Sequence, residues 1–169
     1  MEISFGPRGI LQIDDARIMF PNFEGRGSMY NREGDRNFSI RIEDEELANK
    51  LVDMGWNVKI KPGRDVDEGP FMRLDVKVKY TQRDDGSVNG PKAYLWSGNN
   101  RTELDEDSIG CLDHIERDCV NLDVRPYDWE INGRTGRSAY LQSIEVYQKV
   151  DRFQARYEAD MSREEKLPF

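Results

Sequence analysis

Residues 71–80, FMRLDVKVKY, alternate without a break: Met72, Leu74, Val76, Val78 and Tyr80 share one side, and Phe71, Arg73, Asp75, Lys77 and Lys79 share the other. A period of two held this long specifies a strand with one dry and one wet face, because a helical period of 3.6 would scatter the apolar positions around its axis. The same period returns in NFSIRI (Phe38, Ile40, Ile42), in CVNLDV (Val120, Leu122, Val124) and in AYLQSIEVYQKV near the end. ILQIDDARIMF reads as a strand with an irregularity at Asp14 and Asp15, and WNVKI and KAYLWSG as two shorter strands. Pro126 predicts an edge or a bulge, since it cannot donate to a ladder. TQRDDGSVNGP and NGRTG carry turn signals between strands.

One helix interrupts this pattern. In EDEELANKLVDMG, Asp44 is the expected N-cap, Glu45 and Glu46 suit the first turn, Leu47, Leu51 and Met54 form a stripe, and Gly55 ends it. A short second helix is expected after Asp105, with Ile109, Leu112 and Ile115 inward. Strands and helices do not alternate, which argues against a doubly wound parallel sheet. The expected fold is mainly β: an OB-like small barrel with one firm helix and extended hairpins. It occupies residues 1–150, and residues 151–169 form a polar tail.

Composition bounds the function. The 169 residues carry a formal net charge of −8, which disfavours general adhesion to DNA or anionic membrane but leaves room for a local basic groove. No apolar run approaches the roughly 18 residues of a membrane span, and the N-terminus has no signal-peptide pattern. Cys111 and Cys119 suit a reducing compartment, so a cytoplasmic setting is expected. They flank the single histidine, His114, but a fourth ligand is missing, so we read them as thiols and expect no metal and no cofactor. There is no phosphate loop, HExxH or GxSxG, and a catalytic role is not expected.

Basic and aromatic residues are interleaved in three places. Residues 20–42 mix Phe20, Phe23, Tyr30 and Phe38 with Arg26, Arg32, Arg36 and Arg41, loosened by Gly25, Gly27 and Gly34. Single-stranded nucleic acid is held by such sets, rings for bases and cations for phosphates. Phe38 is in phase with Ile40 and Ile42 and reads as core, as does Phe20. Phe23 and Tyr30 are the stacking candidates, and Asn31 fits a turn. Lys59, Lys61 and Arg64 lead into a loop, and Lys77 and Lys79 share the wet face of their strand. These lysines equally fit an ordinary solvated or edge-protecting face. In RPYDWEINGRTGR, Arg125, Tyr127 and Trp129 alternate, followed by Arg134 and Arg137. Trp129 either faces nucleic acid or closes the barrel. Trp56 reads as core, and Trp96 has no assignment.

The NFxGxxxxYN stretch at 22–31, GDRNFSI at 34–40 and VRPYDWEINGRTGRSAYLQSIEVYQ at 124–148 resemble the OB-fold single-stranded DNA-binding proteins of bacteriophages and prophages, over roughly residues 10–150. The resemblance implies a protein that coats ssDNA during replication or recombination. It also implies a partner-binding C-terminal tip, since bacterial homologues end in aspartates followed by Ile-Pro-Phe. Leu167, Pro168 and Phe169 would be that tip, touching a replication or recombination protein. Here Lys166 interrupts the acidic run, and residues 151–169 hold five acidic against four basic side chains. Oligomeric state, monomer or homodimer, is left open. Two other functions compete: a phage protein-binding module or inhibitor of a host factor acting through the acidic surface, and a virion or assembly component.

Overall fold

The structure is a computed structural model that describes residues 1–65, 67–150, 156 and 160. Twelve strands are described: β1 (Glu2–Phe5), β2 (Leu11–Asp14), β3 (Ile18–Asn22), β4 (Arg36–Ile42), β5 (Val58–Lys61), β6 (Phe71–Val78), β7 (Thr81–Gln82), β8 (Val88–Asn89), β9 (Lys92–Ser97), β10 (Asn100–Leu104), β11 (Arg117–Ile131) and β12 (Arg134–Gln148). The helix α1 spans Glu45–Asp53, and a 3-10 turn covers Ile109–Asp113.

Five strand segments close into a ring, and the break at Asp15 makes closure possible. β2 pairs with β11 and β3 pairs with β4. Between them Asp15 takes φ +52°, a left-handed conformation that Asp tolerates and most residues avoid. At this bend the chain changes neighbours: the Ala16 amide donates to the Val120 carbonyl at 2.8 Å, and the Arg17 carbonyl accepts from the Arg41 amide at 2.9 Å. The ring continues through antiparallel β4–β6, parallel β6–β12 and antiparallel β12–β11. Taking β2 and β3 as one bent strand, this is the five-stranded OB-like barrel expected from the sequence.

The inward parity is the predicted one. Phe38, Ile40 and Ile42 meet Val76, Leu74 and Met72 across the ladder, and all are buried with Val120, Leu122 and Val124. Asp44 caps α1, its carboxylate accepting from the amides of Glu46 at 3.0 Å and Leu47 at 3.4 Å. The helix buries Ala48 and Leu51, while Met54 is exposed rather than part of the stripe. Trp56 is buried, and the turn at 109–113 plugs the core with Ile109 and Leu112. Two strands that the sequence did not announce, β1 and β10, lie outside the ring, paired to β2 and β9.

β11 and β12 outrun the barrel. β2 holds β11 only at Leu122–Val124, and β6 holds β12 only at Ala139–Tyr140. Beyond this the two strands continue as an arm to a two-residue turn at Asn132-Gly133, with φ +51° and +77°. Positive φ at both positions is the demand of a type I′ turn, which Asn-Gly meets at low strain. The arm is tied down at Arg137, whose backbone bonds to Gly55 and Asn57 at 3.0 Å each. The expected tail contact residues Leu167, Pro168 and Phe169 lie outside the described residues.

Candidate nucleic-acid interface

Strand parity assembles the site. The residues of β6 that do not enter the core are Phe71, Arg73, Asp75 and Lys77. Register then sets their neighbours on the same outer face. β5 brings Lys59 beside Arg73 and Lys61 beside Phe71, and β4 brings Arg41 beside Arg73 and Asn37 beside Lys77. β12 brings Tyr140 beside Lys77, and β11 brings Arg125 beside Tyr140.

Tyr140 is the centre of this arrangement. Its ring has the Lys77 ammonium at 5.9 Å, the Arg125 guanidinium at 5.1 Å and the Tyr127 ring edge-on at 5.5 Å. Tyr127 is 53% exposed, and Arg125 and Lys77 are exposed. Two further pairs extend the face across β6: Arg41 over Phe71 and Arg73 over Phe20, each at 5.8 Å. Cations resting on rings keep both groups presented to solvent, the rings for stacking and the charges for phosphate. A cleft of about 350 Å³ runs from this face toward the β3–β4 loop, lined by Gly34, Asn37, Lys77, Lys79, Tyr80 and Tyr140 among others.

Asp75 is the counterweight. Its carboxylate accepts from the Ser39 hydroxyl at 2.6 Å, pairs with Lys59 at 2.8 Å and meets Arg73 at 3.1 Å. Partial burial alone would push its pKa up, but the bonds from Lys59 and Ser39 and the neighbouring positive charges outweigh that and hold it below the ordinary carboxylate value.

The candidates named from sequence fall into three groups. Lys77, Arg125 and Tyr127 come together around Tyr140. Lys59 and Lys61 share the face, with Lys59 engaged by Asp75. Lys79 lines the cleft. Tyr30 is 94% exposed on the β3–β4 loop, and Arg32 beside it makes no ion pair among the described residues. Arg26 lies near Glu24 and Asp113, at 3.9 and 4.0 Å. Arg134 is exposed at the arm's turn, far along the ladder from Tyr140. Trp129 is half-buried, its indole crossing the face of Gly136, and lines a separate cleft with Met54 and Gly55.

Two expectations are corrected. Phe23 is 1% exposed and stacks on Phe38 at 4.9 Å, so it is core. The buried Asp113 carboxylate accepts from the Phe23 and Glu24 amides at 2.8 and 3.1 Å and draws this segment inward. Phe20 is the reverse case: 58% exposed, with φ +51° in the irregular stretch between Met19 and Asn22, it is turned out of the core. Arg36 follows the inward parity of its strand. Its guanidinium bonds the Phe23 carbonyl at 2.5 Å and lies 5.6 Å from the Tyr80 ring, and the residue lines the same cleft as Lys77 and Tyr140. Tyr140, Arg73 and Phe71 were not singled out as site residues, and Arg41 was named only within the 20–42 stretch. Their signal was parity, since each is out of phase with the buried residues of its own strand, but only register shows that they are neighbours.

Comparison with solved structures finds the same fold in phage proteins. The "Single-stranded DNA-binding protein from bacteriophage Enc34 in complex with ssDNA" superposes with a TM-score of 0.54 at 15% identity, covering 88% of this chain and 92% of that one. A second structure, "Single-stranded DNA-binding protein from bacteriophage Enc34", gives 0.52 at 17% identity, covering 88% and 86%. Its C-terminal truncation gives 0.52 at 16% identity, covering 87% and 90%. Comparison with curated protein sequences gives no match. Residues 4–167 match a family of sequences as a whole, and the chain therefore belongs to the family described as "Putative phage ssDNA-binding domain".

Proposed function

We propose that the protein is a non-catalytic ssDNA-binding protein that coats and protects single strands during replication or recombination, in the cytoplasm of the host cell. The observation that carries this is the outer face centred on Tyr140, where Lys77, Arg125 and Tyr127 converge on one ring. OB folds bind oligonucleotides on this strand face and its flanking loops. Family membership and the fold shared with the Enc34 protein, which was solved with ssDNA, support the same reading.

The binding mode follows from the chemistry of the face. Phosphates lie against Lys59, Lys61, Arg73, Lys77 and Arg125, and bases stack on Tyr140 and Tyr127. Stacking tolerates any base, because every base has a π-face. Duplex DNA keeps its bases stacked on each other and offers only its phosphates. The C-terminal residues Leu167–Phe169 recruit a replication or recombination protein, so their deletion leaves ssDNA affinity intact and removes that contact.

The test is a titration of fluorescent poly-dT and of duplex DNA at low and moderate salt. The proposal expects tight, salt-sensitive binding of poly-dT and much weaker binding of duplex. Equal binding of both, or of neither, contradicts it. A stoichiometric complex with a host protein and no oligonucleotide binding would instead establish the inhibitor reading.

A further inference from the structure

We propose that Met29 and Tyr30 act together as a base-contacting tip, and that Asn31 is the positioning residue that sets this tip before DNA arrives. The proposal rests on the ssDNA reading above and extends it to residues outside the sheet face.

Ser28 and Asn31 exchange backbone hydrogen bonds at 2.8 and 3.3 Å, which leaves Met29 and Tyr30 as the two residues of a tight turn. They are 90% and 94% exposed. Neither residue takes a positive φ, so the turn accepts most side chains, and the fold gains nothing from a thioether and a phenol ring held in water.

The backbone beneath them is nevertheless over-determined. The Asn31 side-chain amide donates to the carbonyls of Arg26, Arg32 and Asp35 at 2.8, 3.2 and 3.0 Å. Its oxygen accepts from the Asn37 amide at 2.9 Å. Asn22 clamps the other side, accepting from the amides of Gly25 and Arg26 at 3.0 and 2.8 Å and donating to the Arg26 carbonyl at 3.0 Å. Gly34 closes the base by donating to the Gly25 carbonyl at 2.8 Å.

This clamp is continuous with the candidate interface. Asn37, which bonds Asn31, is the cross-strand neighbour of Lys77, and Gly34 lines the cleft that reaches Tyr140. Arg32 is exposed beside the tip. A tip fixed in advance loses less conformational freedom on binding than a mobile loop. Tyr30 offers a stacking face, and the unbranched Met29 adapts to the irregular edge of an unstacked base or wedges between successive bases. Paired and stacked bases are closed to both, so the tip adds to single-strand preference.

Poly-dT titrations of the full chain test this with Met29→Ala, Tyr30→Ala, the Met29→Ala/Tyr30→Ala pair, Asn31→Ala and Asn31→Asp. Tyr30→Ala is expected to weaken binding about tenfold and Met29→Ala about threefold, the scale of one lost stacking contact and a lesser one. Asn31→Ala and Asn31→Asp are each expected to weaken binding about fivefold, because neither retains the donor to the three carbonyls. In the Met29→Ala/Tyr30→Ala background, Asn31→Ala is expected to cost nothing more, since it acts only through the tip. Unchanged affinity for Met29→Ala overturns its contact. A further loss from Asn31→Ala in the double background overturns its positioning role. If wild-type protein binds poly-dT and all variants match it, the tip proposal falls alone. If wild-type protein ignores poly-dT, the ssDNA reading falls and takes the tip with it.

Discussion

Asp75 sits among the cations of the outer face and serves the fold at the expense of binding. Its carboxylate is better stabilised when charged in the folded chain than in the unfolded one. The sign of the linkage follows: this stability is present above the ordinary carboxylate range and is lost as pH falls through the depressed folded value. Asp75→Asn is therefore expected to lower urea stability at neutral pH, with the difference from wild type shrinking as pH falls below the ordinary carboxylate range. The same substitution releases Lys59 and Arg73 from their ion pairs, so poly-dT affinity at low salt is expected to rise. Tyr140 lies on the other side of the account. Tyr140→Ala removes the ring on which Lys77, Arg125 and Tyr127 converge, and is expected to cost roughly 1–3 kcal/mol of ssDNA binding. Phe23→Ala makes the contrast: with its ring in the core against Phe38, the expected loss is about 3–5 kcal/mol of folding stability, read by denaturant unfolding.

At the scale of elements, the arm formed by β11 and β12 is the part most open to a single-atom test. A Cβ on Gly136 would lie 2.3 Å from the Trp129 ring. Gly136→Ala is thus expected to displace the indole, destabilise the arm by about 1–3 kcal/mol and red-shift tryptophan emission. The strands, the helix and the arm's turn were legible because each is specified locally: period two for Phe71–Val78, the Asp44 cap for α1, Asn-Gly for the turn. Phe23 and Phe20 were misread because their directions are set elsewhere. Asp113, which pulls Phe23 inward, is 90 residues away in sequence. The positive φ that turns Phe20 out belongs to an irregular stretch, not to the alternation around it. β10 was missed since NRTEL carries little apolar signal and gains its strand form from pairing with β9.

For the whole molecule, the net charge of −8 and a face bearing Arg41, Lys59, Lys61, Arg73, Lys77 and Arg125 are compatible because charge is sorted by surface. The sorting predicts salt-dependent binding. If about five phosphates meet this face, the log–log slope of affinity against salt is roughly −3 to −4 for a single strand. The set of cations could be listed from sequence, but their convergence could not. Lys77 and Tyr140 meet through a parallel pairing of two residues on each strand, which nothing local encodes. The most direct measurement is photo-crosslinking of a halogenated oligo-deoxyuridine to the full chain, followed by peptide mapping. Adducts at Tyr140, Tyr127 and Tyr30 are the predicted result. Adducts confined to the opposite stretch of β12 and its neighbours, at Tyr94, Trp96 and Tyr147, would contradict it.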